Sequence, residues 1–451
     1  MRFSLAMPNT AKPRKAIHGM KSIRKTAERI EAGFASKGIT KYYYHLVEKE
    51  TRELSAENGE FSLLRTLFDN NATLSAFRKG RNGIVSGNDF SDEGIDALVQ
   101  SAVLSAEAAV KDPAHDIAPA QKPAKFRQGC LKPDFDRFFE RLRELLSDIK
   151  KEYPKIQIMN VIGEYVKAHS LTRNSNGVDF EETSGEYFVT LEFAGHEGDL
   201  TTSLDYATVQ VKDLEQRIID LGSLRYHLEN AQRQLVQIPL SGKFTGSVMF
   251  TPELFAEFMF MVFGNYISDS VLIDGTSLWK KKIGKKVADS SLTVSMKSSD
   301  KRIVIGERVT ADGFRTEDLP IIEKGVLRNF KIGLYTAKKI KKPVSLNSST
   351  DLVVEAGTTP MKDMIKSIKS GLIVGGFSGG KPGTNGEFSG VAKNSYYVED
   401  GEIQGAVSEI MINGNLGEAL QNIRAISCET LCDGGIVVPY VLVDGIVISG
   451  K

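Results

Sequence analysis

Histidine is the residue type whose spacing in this chain could indicate a hydrolytic metal site. A common zinc-peptidase motif places two histidines one helical turn apart, so that both imidazoles reach one ion while an adjacent glutamate activates the bound water. The histidines are His18, His45, His115, His169, His196 and His227. Only His196-Glu197 begins the pattern H-E-x-x-H, and Leu200 stands where the second histidine is needed. The sequence therefore predicts no zinc site of this type.

Cysteine offers a second route to a metal. Cys428 and Cys432 are four residues apart, and thiolates at such a spacing could bind a soft metal ion. No histidine follows either cysteine, so we interpret both as reduced thiols and keep Cys432 as a weak metal candidate. Three cysteines in 451 residues also argue against a disulfide framework. This favours a reduced, cytoplasmic protein.

A glycine-rich segment after residue 374 imitates two catalytic motifs. Gly376–Gly380 fits the nucleophile-elbow pattern G-x-S-x-G, but an elbow needs a helix directly after its serine, and the last histidine, His227, precedes it. Gly380-Lys381 ends a near-match to the P-loop, where Pro382 replaces the hydroxyl residue that binds magnesium. We expect a loop between strands here.

Predicted helices and strands, which must position these residues, alternate in the first half of the chain. Hydrophobic periodicity predicts helices over residues 20–36, 92–111, 135–153 and 214–235. Strand-like segments dominate residues 41–90 and 156–211. Asn58-Gly59 and Asn82-Gly83 are predicted to be hairpin turns, because both central residues of the favoured turn need positive φ.

The second half is predicted to be richer in strands. Thr251-Pro252 opens an apolar helix that Gly264 can end, and a second helix spans Met361–Ser370. Short strands and glycine-containing turns make up most of the remainder, including a turn at Asn413–Asn415 before a short helix over Leu416–Ile423. We predict an α+β fold. Its N-terminal domain, residues 1–237, is mixed α/β with helices on a sheet, and its C-terminal domain, residues 238–451, is a barrel-like antiparallel β domain with a few helices.

Composition excludes several classes of protein. The net charge is +1, with 58 basic and 57 acidic residues, so no global field attracts nucleic acid or an anionic membrane. No apolar run reaches the roughly 18 residues of a membrane span, and Met1–Met20 lacks the apolar core of a secretion signal. We expect a cytoplasmic protein that does not bind membranes or nucleic acid directly.

Four segments near the C-terminus resemble the TldD/PmbA family. They are Asn385-Gly386, Phe388–Gly390, Glu399–Ile403 and Ile412–Leu416. Proteins of this family are described as modulators of DNA gyrase and as subunits of a metalloprotease. The resemblance is weak in the first half of the chain and good from about Asp274 onward.

The resemblance implies which type of subunit this is. Catalytic members carry the H-E-x-x-H zinc helix and a cysteine near the C-terminus. The counterpart of that helix begins at Pro252 and has no histidine, as in the TldE/PmbA-type subunit. The chain is therefore expected to be a metal-less pseudoenzyme in a cytoplasmic metalloprotease complex that processes or degrades small unfolded peptides. A TldD-like catalytic subunit would hold the zinc, and the isolated chain could form a homodimer.

Strand edges could bind an extended peptide through main-chain hydrogen bonds with little sequence demand. The candidates for this contact lie in the loop and hairpin of the same segment: Asn385, Gly386, Phe388, Ser389, Tyr396, Tyr397 and Glu402. The alternative interpretation is that these residues only build the barrel.

Two other functions stay open on sequence alone. The chain could be an autonomous metallopeptidase with an atypical site, in which Cys432 joins a carboxylate such as Glu197 and a distant histidine. It could also modulate DNA gyrase by direct protein–protein contact.

Overall fold

A computed structural model describes residues 22–450 and confirms the predicted α+β class, with 24% helix and 42% strand. It contains a half-barrel sheet and, in the C-terminal region, a closed β-barrel. The chain divides into two compact units. Residues 22–49, 68–124 and 169–181 form one unit, and residues 50–67, 125–168 and 182–450 form the other. The predicted boundary near residue 238 stays a prediction.

The first segment supplies the core of the smaller unit. Its elements are α1 (Ser22–Ser36), β1 (Lys41–Glu57), β2 (Glu60–Arg78), β3 (Arg81–Gly87) and α2 (Asp92–Ala108). Ser91 caps α2 by accepting a hydrogen bond from the Gly94 N–H. The predicted residue 20 start of α1 and the Met1–Met20 segment lie outside the described residues.

The predicted turn at Asn82-Gly83 is wrong. Lys79 and Gly80, both with positive φ, make the turn between β2 and β3, and Asn82-Gly83 lies within β3. Gly83 serves close packing, because a Cβ there would come within 2.1 Å of the Ala106 nitrogen in α2. The turn at Asn58-Gly59 is confirmed, again with positive φ at both residues.

The middle segment completes the first sheet and packs helices on it. Its elements are β4 (Ala124–Gly129), α3 (Phe135–Glu152), β5 (Ile156–Asn174), β6 (Asp179–Glu197), β7 (Leu200–Thr201), β8 (Asp205–Val211), a 3-10 turn (Ile218–Asp220) and α4 (Leu224–Arg233). The sheet order is β3-β2-β1-β5-β6-β4, with β7 and β8 also paired to β6. The helix predicted over residues 214–235 is longer than the observed α4. Gly222, directly before α4, has a φ of +55°, which a right-handed helix cannot include.

The C-terminal segment forms the second sheet and its helices. Its elements are β9 (Lys243–Phe250), α5 (Pro252–Tyr266), α6 (Asp269–Ile273), β10 (Val294–Met296), β11 (Leu319–Glu323), β12 (Val326–Leu327), α7 (Leu334–Ile340), β13 (Leu352–Val354), α8 (Met361–Lys366), β14 (Ser370–Gly379), β15 (Glu387–Glu399), β16 (Glu402–Val407), β17 (Ile410–Asn415), α9 (Leu416–Gln421), β18 (Ile423–Cys432) and β19 (Val437–Ser449).

The barrel closes through five strands in the order β9-β14-β15-β17-β19, since β19 pairs back onto β9. Alternate residues of β9 face different partners. Val248 and Phe250 join the core around α5, whereas Met249 packs with residues of α8. The end of β9 is thus buried on both faces, which explains its apolar run Val248–Phe250.

Several predicted boundaries in this segment are wrong. α5 continues past Gly264 to Tyr266, α8 ends at Lys366, and β14 runs through the glycines that follow Val374. Asn413–Asn415 closes strand β17, where the Asn415 side chain caps α9, which ends at Gln421. Tertiary pairing outweighs the local turn signals in each strand.

Residues 22–450 contain no helix with the length and hydropathy that crossing a bilayer requires.

A substitution at Gly371 tests the close contact of β14 with β9. A Cβ on this residue would meet the Ser247 carbonyl oxygen at 2.1 Å, so Gly371→Ala should lower the free energy of unfolding by about 1–3 kcal/mol. Gly264→Ala is the matched control, because a Cβ there has no atom within 4 Å, and it should be neutral or stabilising. Denaturant unfolding of both variants measures the difference, and equal stabilities would contradict this packing.

Candidate functional site

The first turn of α5 presents a carboxylate to a half-enclosed polar site. Thr251 caps the helix, accepting from the Leu254 N–H, and Pro252 occupies the first turn. Glu253 follows, where the positive end of the helix dipole favours its negative charge. The Thr251 N–H also bonds to the Val374 carbonyl at 3.1 Å, which anchors this turn to β14.

His227 of α4 lies between two carboxylates. Its Nε2 is 3.3 Å from Glu253 Oε1, and its Nδ1 is 3.2 Å from Asp205 Oδ2 on β8. Burial by itself lowers the pKa of His227, but the hydrogen bonds and charges of the two carboxylates outweigh burial and raise this pKa to about 9. Burial raises the pKa of Glu253, yet the His227 hydrogen bond and charge lower it overall. At neutral pH the centre is an imidazolium that donates from both nitrogens.

Asn394 of β15 completes the ring of partners around Asp205. Its Nδ2 donates to Asp205 Oδ2 at 3.3 Å. The residue has φ +50° inside a strand, a conformation that asparagine tolerates better than most residues. Gly375 lies opposite, and a Cβ there would come 3.1 Å from Asn394 Cβ.

Two tyrosines border the same cluster. The Tyr226 hydroxyl is buried and has no hydrogen-bond partner among residues 22–450. Burial raises the pKa of Tyr226 well above its ordinary value, and the charge of Glu253 adds to this. Burial and the charge of Glu253 also raise the pKa of Tyr440, to about 12. Both phenols are therefore neutral hydrogen-bonding groups and not bases.

These residues do not fit a zinc ion. The two carboxylates contact opposite ring nitrogens of His227 and so do not converge on one point with either nitrogen. The described part of the chain contains no group of three or more His, Cys, Asp or Glu residues placed to hold a metal ion. The arrangement can hold charge and join three elements of the fold.

His196-Glu197 and the cysteines lie elsewhere. His196 and Glu197 pair with Thr201 and Leu200 in a β hairpin, so the motif fragment is not helical. Cys428 and Cys432 lie on β18, where four residues of strand span on the order of 13 Å.

Cys432 borders a surface cleft of about 300 Å³ that Lys212, Lys301 and Gly434 also line. Its Sγ donates to the Arg302 carbonyl, and burial raises the pKa of the thiol.

The predicted peptide-binding residues divide into buried and accessible groups. Phe388 and Tyr396 are buried, and the Tyr396 hydroxyl donates to Asn230 Oδ1 at 2.6 Å. Gly386 is also buried, with φ +90°. The exposed or half-buried candidates are Asn385, Ser389, Tyr397 and Glu402.

The main chain of Tyr396 and Tyr397 pairs with β14 on one side and β16 on the other. A peptide adding as a strand would need another edge, and binding at these candidates stays a prediction.

Sequence reasoning missed Asp205, His227 and Glu253 as a site. Asp205 and Glu253 lie 22 and 26 positions from His227, on a strand and a helix that do not adjoin in sequence. The one available signal was an acidic residue directly after Thr-Pro at a helix start.

Comparison with known proteins assigns the chain to a family. Residues 241–450 match the family described as PmbA/TldA metallopeptidase C-terminal domain, and residues 46–106 match PmbA/TldA metallopeptidase domain 1. The crystal structure of TldE from Thermococcus kodakarensis superposes with a TM-score of 0.79, at 19% identity, covering 94% of this chain and 100% of that one.

The chain belongs to the PmbA/TldD family. It is 25% identical to metalloprotease PmbA of Escherichia coli O157:H7, over 90% of each protein. It is 24% identical to a metalloprotease of Archaeoglobus fulgidus, over 84% of this chain and 89% of the relative.

The charge state of His227 predicts how stability depends on pH. Its folded pKa of about 9 lies above the unfolded value of roughly 6.5, so its contribution is complete below pH 6.5 and is lost as the pH rises through 9. The difference in unfolding free energy between the wild type and His227→Gln should shrink by about 3 kcal/mol across that window. Urea unfolding at several pH values measures it.

His196→Gln is the control, because it removes an exposed imidazole on the β6–β7 hairpin, outside this cluster. Parallel curves for the wild type and His227→Gln would contradict an imidazolium at this position.

Proposed function

We propose that this chain is the non-catalytic, metal-less subunit of a TldD/TldE-like metalloprotease complex. The complex would act in the cytoplasm on small unfolded peptides, and the zinc would belong to a TldD-like catalytic subunit. Membership of a family whose relatives are named metalloproteases supports the protease role. The observation that carries the metal-less part is the His227 imidazolium held between Asp205 and Glu253.

The charges of this cluster support a structural role. Two half-buried carboxylates brought together without a cation would repel each other and lose hydration. In a metal-bound site the ion supplies the positive charge, whereas here an imidazolium from α4 supplies it. In the proposed subunit this centre would join α4, β8 and α5 and would not bind a substrate carbonyl.

The contribution to peptide handling would come from accessible groups around the barrel. Ser389, Tyr397 and Glu402 offer a hydroxyl, a phenol and a carboxylate that solvent can reach. Side-chain contacts of this kind would supplement main-chain pairing at a free strand edge in the assembled complex.

The alternative is that the chain is an autonomous metallopeptidase. A direct experiment distinguishes this from the proposed metal-less subunit. Glu197, the carboxylate considered for such a site, already forms an ion pair with Lys155 at 2.7 Å. Cys432 is accessible from the cleft and keeps this alternative testable.

The test measures zinc and peptide hydrolysis for the purified chain, alone and after co-expression with an H-E-x-x-H paralogue from the same cell. We expect the isolated chain to hold far less than one zinc per chain and to cleave no unfolded peptide. The co-purified complex should contain zinc and cleave peptides, because the paralogue brings both histidines.

Cys432→Ala and Cys428→Ala form the matched pair of variants for this test. Neither should change the zinc content of the complex. Stoichiometric zinc and hydrolysis in the isolated chain, lost in Cys432→Ala and kept in Cys428→Ala, would overturn the proposal.

A further inference from the structure

The surface cleft of about 300 Å³ lies where strand β8, residues 301–304 and the turn after strand β18 meet. Main-chain hydrogen bonds join these three segments. The Gln210 N–H donates to the Asp433 carbonyl at 2.7 Å, and the Val304 N–H donates to the Gly434 carbonyl at 2.8 Å. A Cβ on Gly434 would come within 2.6 Å of Gln210 Cβ, so the walls already touch. The cleft is therefore formed by the fold itself.

Two lysines give this cleft positive charge. Lys212 and Lys301 both border it and are exposed, and neither forms an ion pair with any residue between 22 and 450. A third cation, Arg302, is held by Asp300 through hydrogen bonds of 2.9 and 2.8 Å. The lysine ammonium groups are thus the cations that remain available to a ligand.

The carboxylates of the lining are bound by main-chain donors. Asp433 Oδ1 accepts from the Gly435 N–H at 2.8 Å and from the Ile436 N–H at 2.9 Å. Asp213 Oδ1 accepts from the Glu215 N–H at 3.2 Å. An ammonium group only donates hydrogen bonds, and its strongest partners are anionic oxygens. The cleft is therefore suited to a ligand that carries a carboxylate.

The cleft adjoins the cluster around His227. Gly222, shortly before α4, lines the cleft, and the next residue, Ser223, donates a hydrogen bond to the Glu253 carboxylate. A peptide that lies against this cluster consequently has the cleft within reach.

We propose that the cleft binds the C-terminal carboxylate of a peptide, with Lys212 and Lys301 donating to its oxygens. This inference rests on the proposed function, which supplies an unfolded peptide as the ligand, and it adds which part of the peptide this chain binds. A volume of about 300 Å³ is at the lower end for ligand sites and holds roughly one or two residues. A chain end fits such a space, whereas an internal carboxylate would have to bring the chain in and out again.

Exposure of the lysines sets the expected strength. An ion pair that solvent reaches changes affinity by roughly threefold, so two pairs acting together give roughly tenfold. Salt screens pairs of this kind, and the preference for a free carboxylate should fall as the ionic strength rises.

Fluorescence anisotropy of the isolated chain with short labelled peptides at low salt tests the proposal. The peptides share one unstructured sequence without acidic side chains and end either in a free acid or in an amide. The free acid should bind roughly tenfold more tightly than the amide. A third peptide, an amide with an aspartate at its centre, should bind like the plain amide, because its carboxylate is not at the chain end.

Lysine variants assign the effect to the cleft. Lys212→Met and Lys301→Met keep the apolar stem and remove the charge, so each should weaken binding of the free acid roughly threefold. The double variant should bind acid and amide equally. Lys281→Met is the matched control, because Lys281 is also exposed but does not line the cleft, and it should bind as the wild type does.

Four results would overturn the proposal: equal affinity for acid and amide, recovery of tight binding by the central aspartate, no binding of the free acid at millimolar concentrations, or an equal loss in Lys281→Met. Because this experiment reads binding and not cleavage, its failure is distinguishable from failure of the proposed function. Zinc and hydrolysis in the isolated chain would contradict the metal-less subunit, whereas equal binding of acid and amide would contradict only the anchoring of the peptide end.

Discussion

The contact of one imidazolium with two carboxylates determines the character of the candidate site. Glu253 enters from the start of a helix, Asp205 from a strand and His227 from a second helix. Removing His227 would leave two half-buried carboxylates without a cation, which destabilises the folded state. The positive charge of His227 allows two carboxylates from different elements to lie close together. A site built in this way joins two helices and a strand through charge.

The barrel strands determine where His227 meets Asp205 and Glu253. Strand β9 leads into α5 with no intervening loop beyond Thr251, and the hydrogen bond from the Thr251 N–H to Val374 fixes where the helix starts. Asn394, on the neighbouring strand β15, adopts a left-handed conformation and turns its amide toward Asp205. Closure of the barrel through β9, β14 and β15 thus determines the position of Glu253 and of the groups that surround Asp205.

Sequence patterns predicted the elements of this fold better than their ends. The Thr-Pro start and apolar face of α5 and the Asn-Gly turn after Glu57 are local signals that the structure confirms. Gly83 and Gly264 misled the prediction, because glycine serves close packing or a helix interior as readily as a turn. At Gly83 the deciding contact is with Ala106 of α2, an element distant in sequence, whereas α5 simply continues through Gly264.

The site was harder to predict for the same reason. A motif search looks for ligands spaced along one helix, and the absence of a second histidine there was visible in the sequence. It could not reveal that an imidazole from α4 approaches α5 in space, since only the packed structure brings His227 to Glu253. The loop and hairpin residues predicted to contact a peptide were chosen as strand-edge positions, and a strand pattern alone does not show which residues are buried.

The most direct measurement of this account is a nitrogen-15 NMR spectrum of the His227 ring at neutral pH, assigned with His227→Gln and recorded with and without added zinc. The account predicts that both ring nitrogens carry protons and that zinc leaves their resonances unchanged. A neutral ring with one unprotonated nitrogen that shifts on zinc addition would show a metal ligand at this position and contradict it.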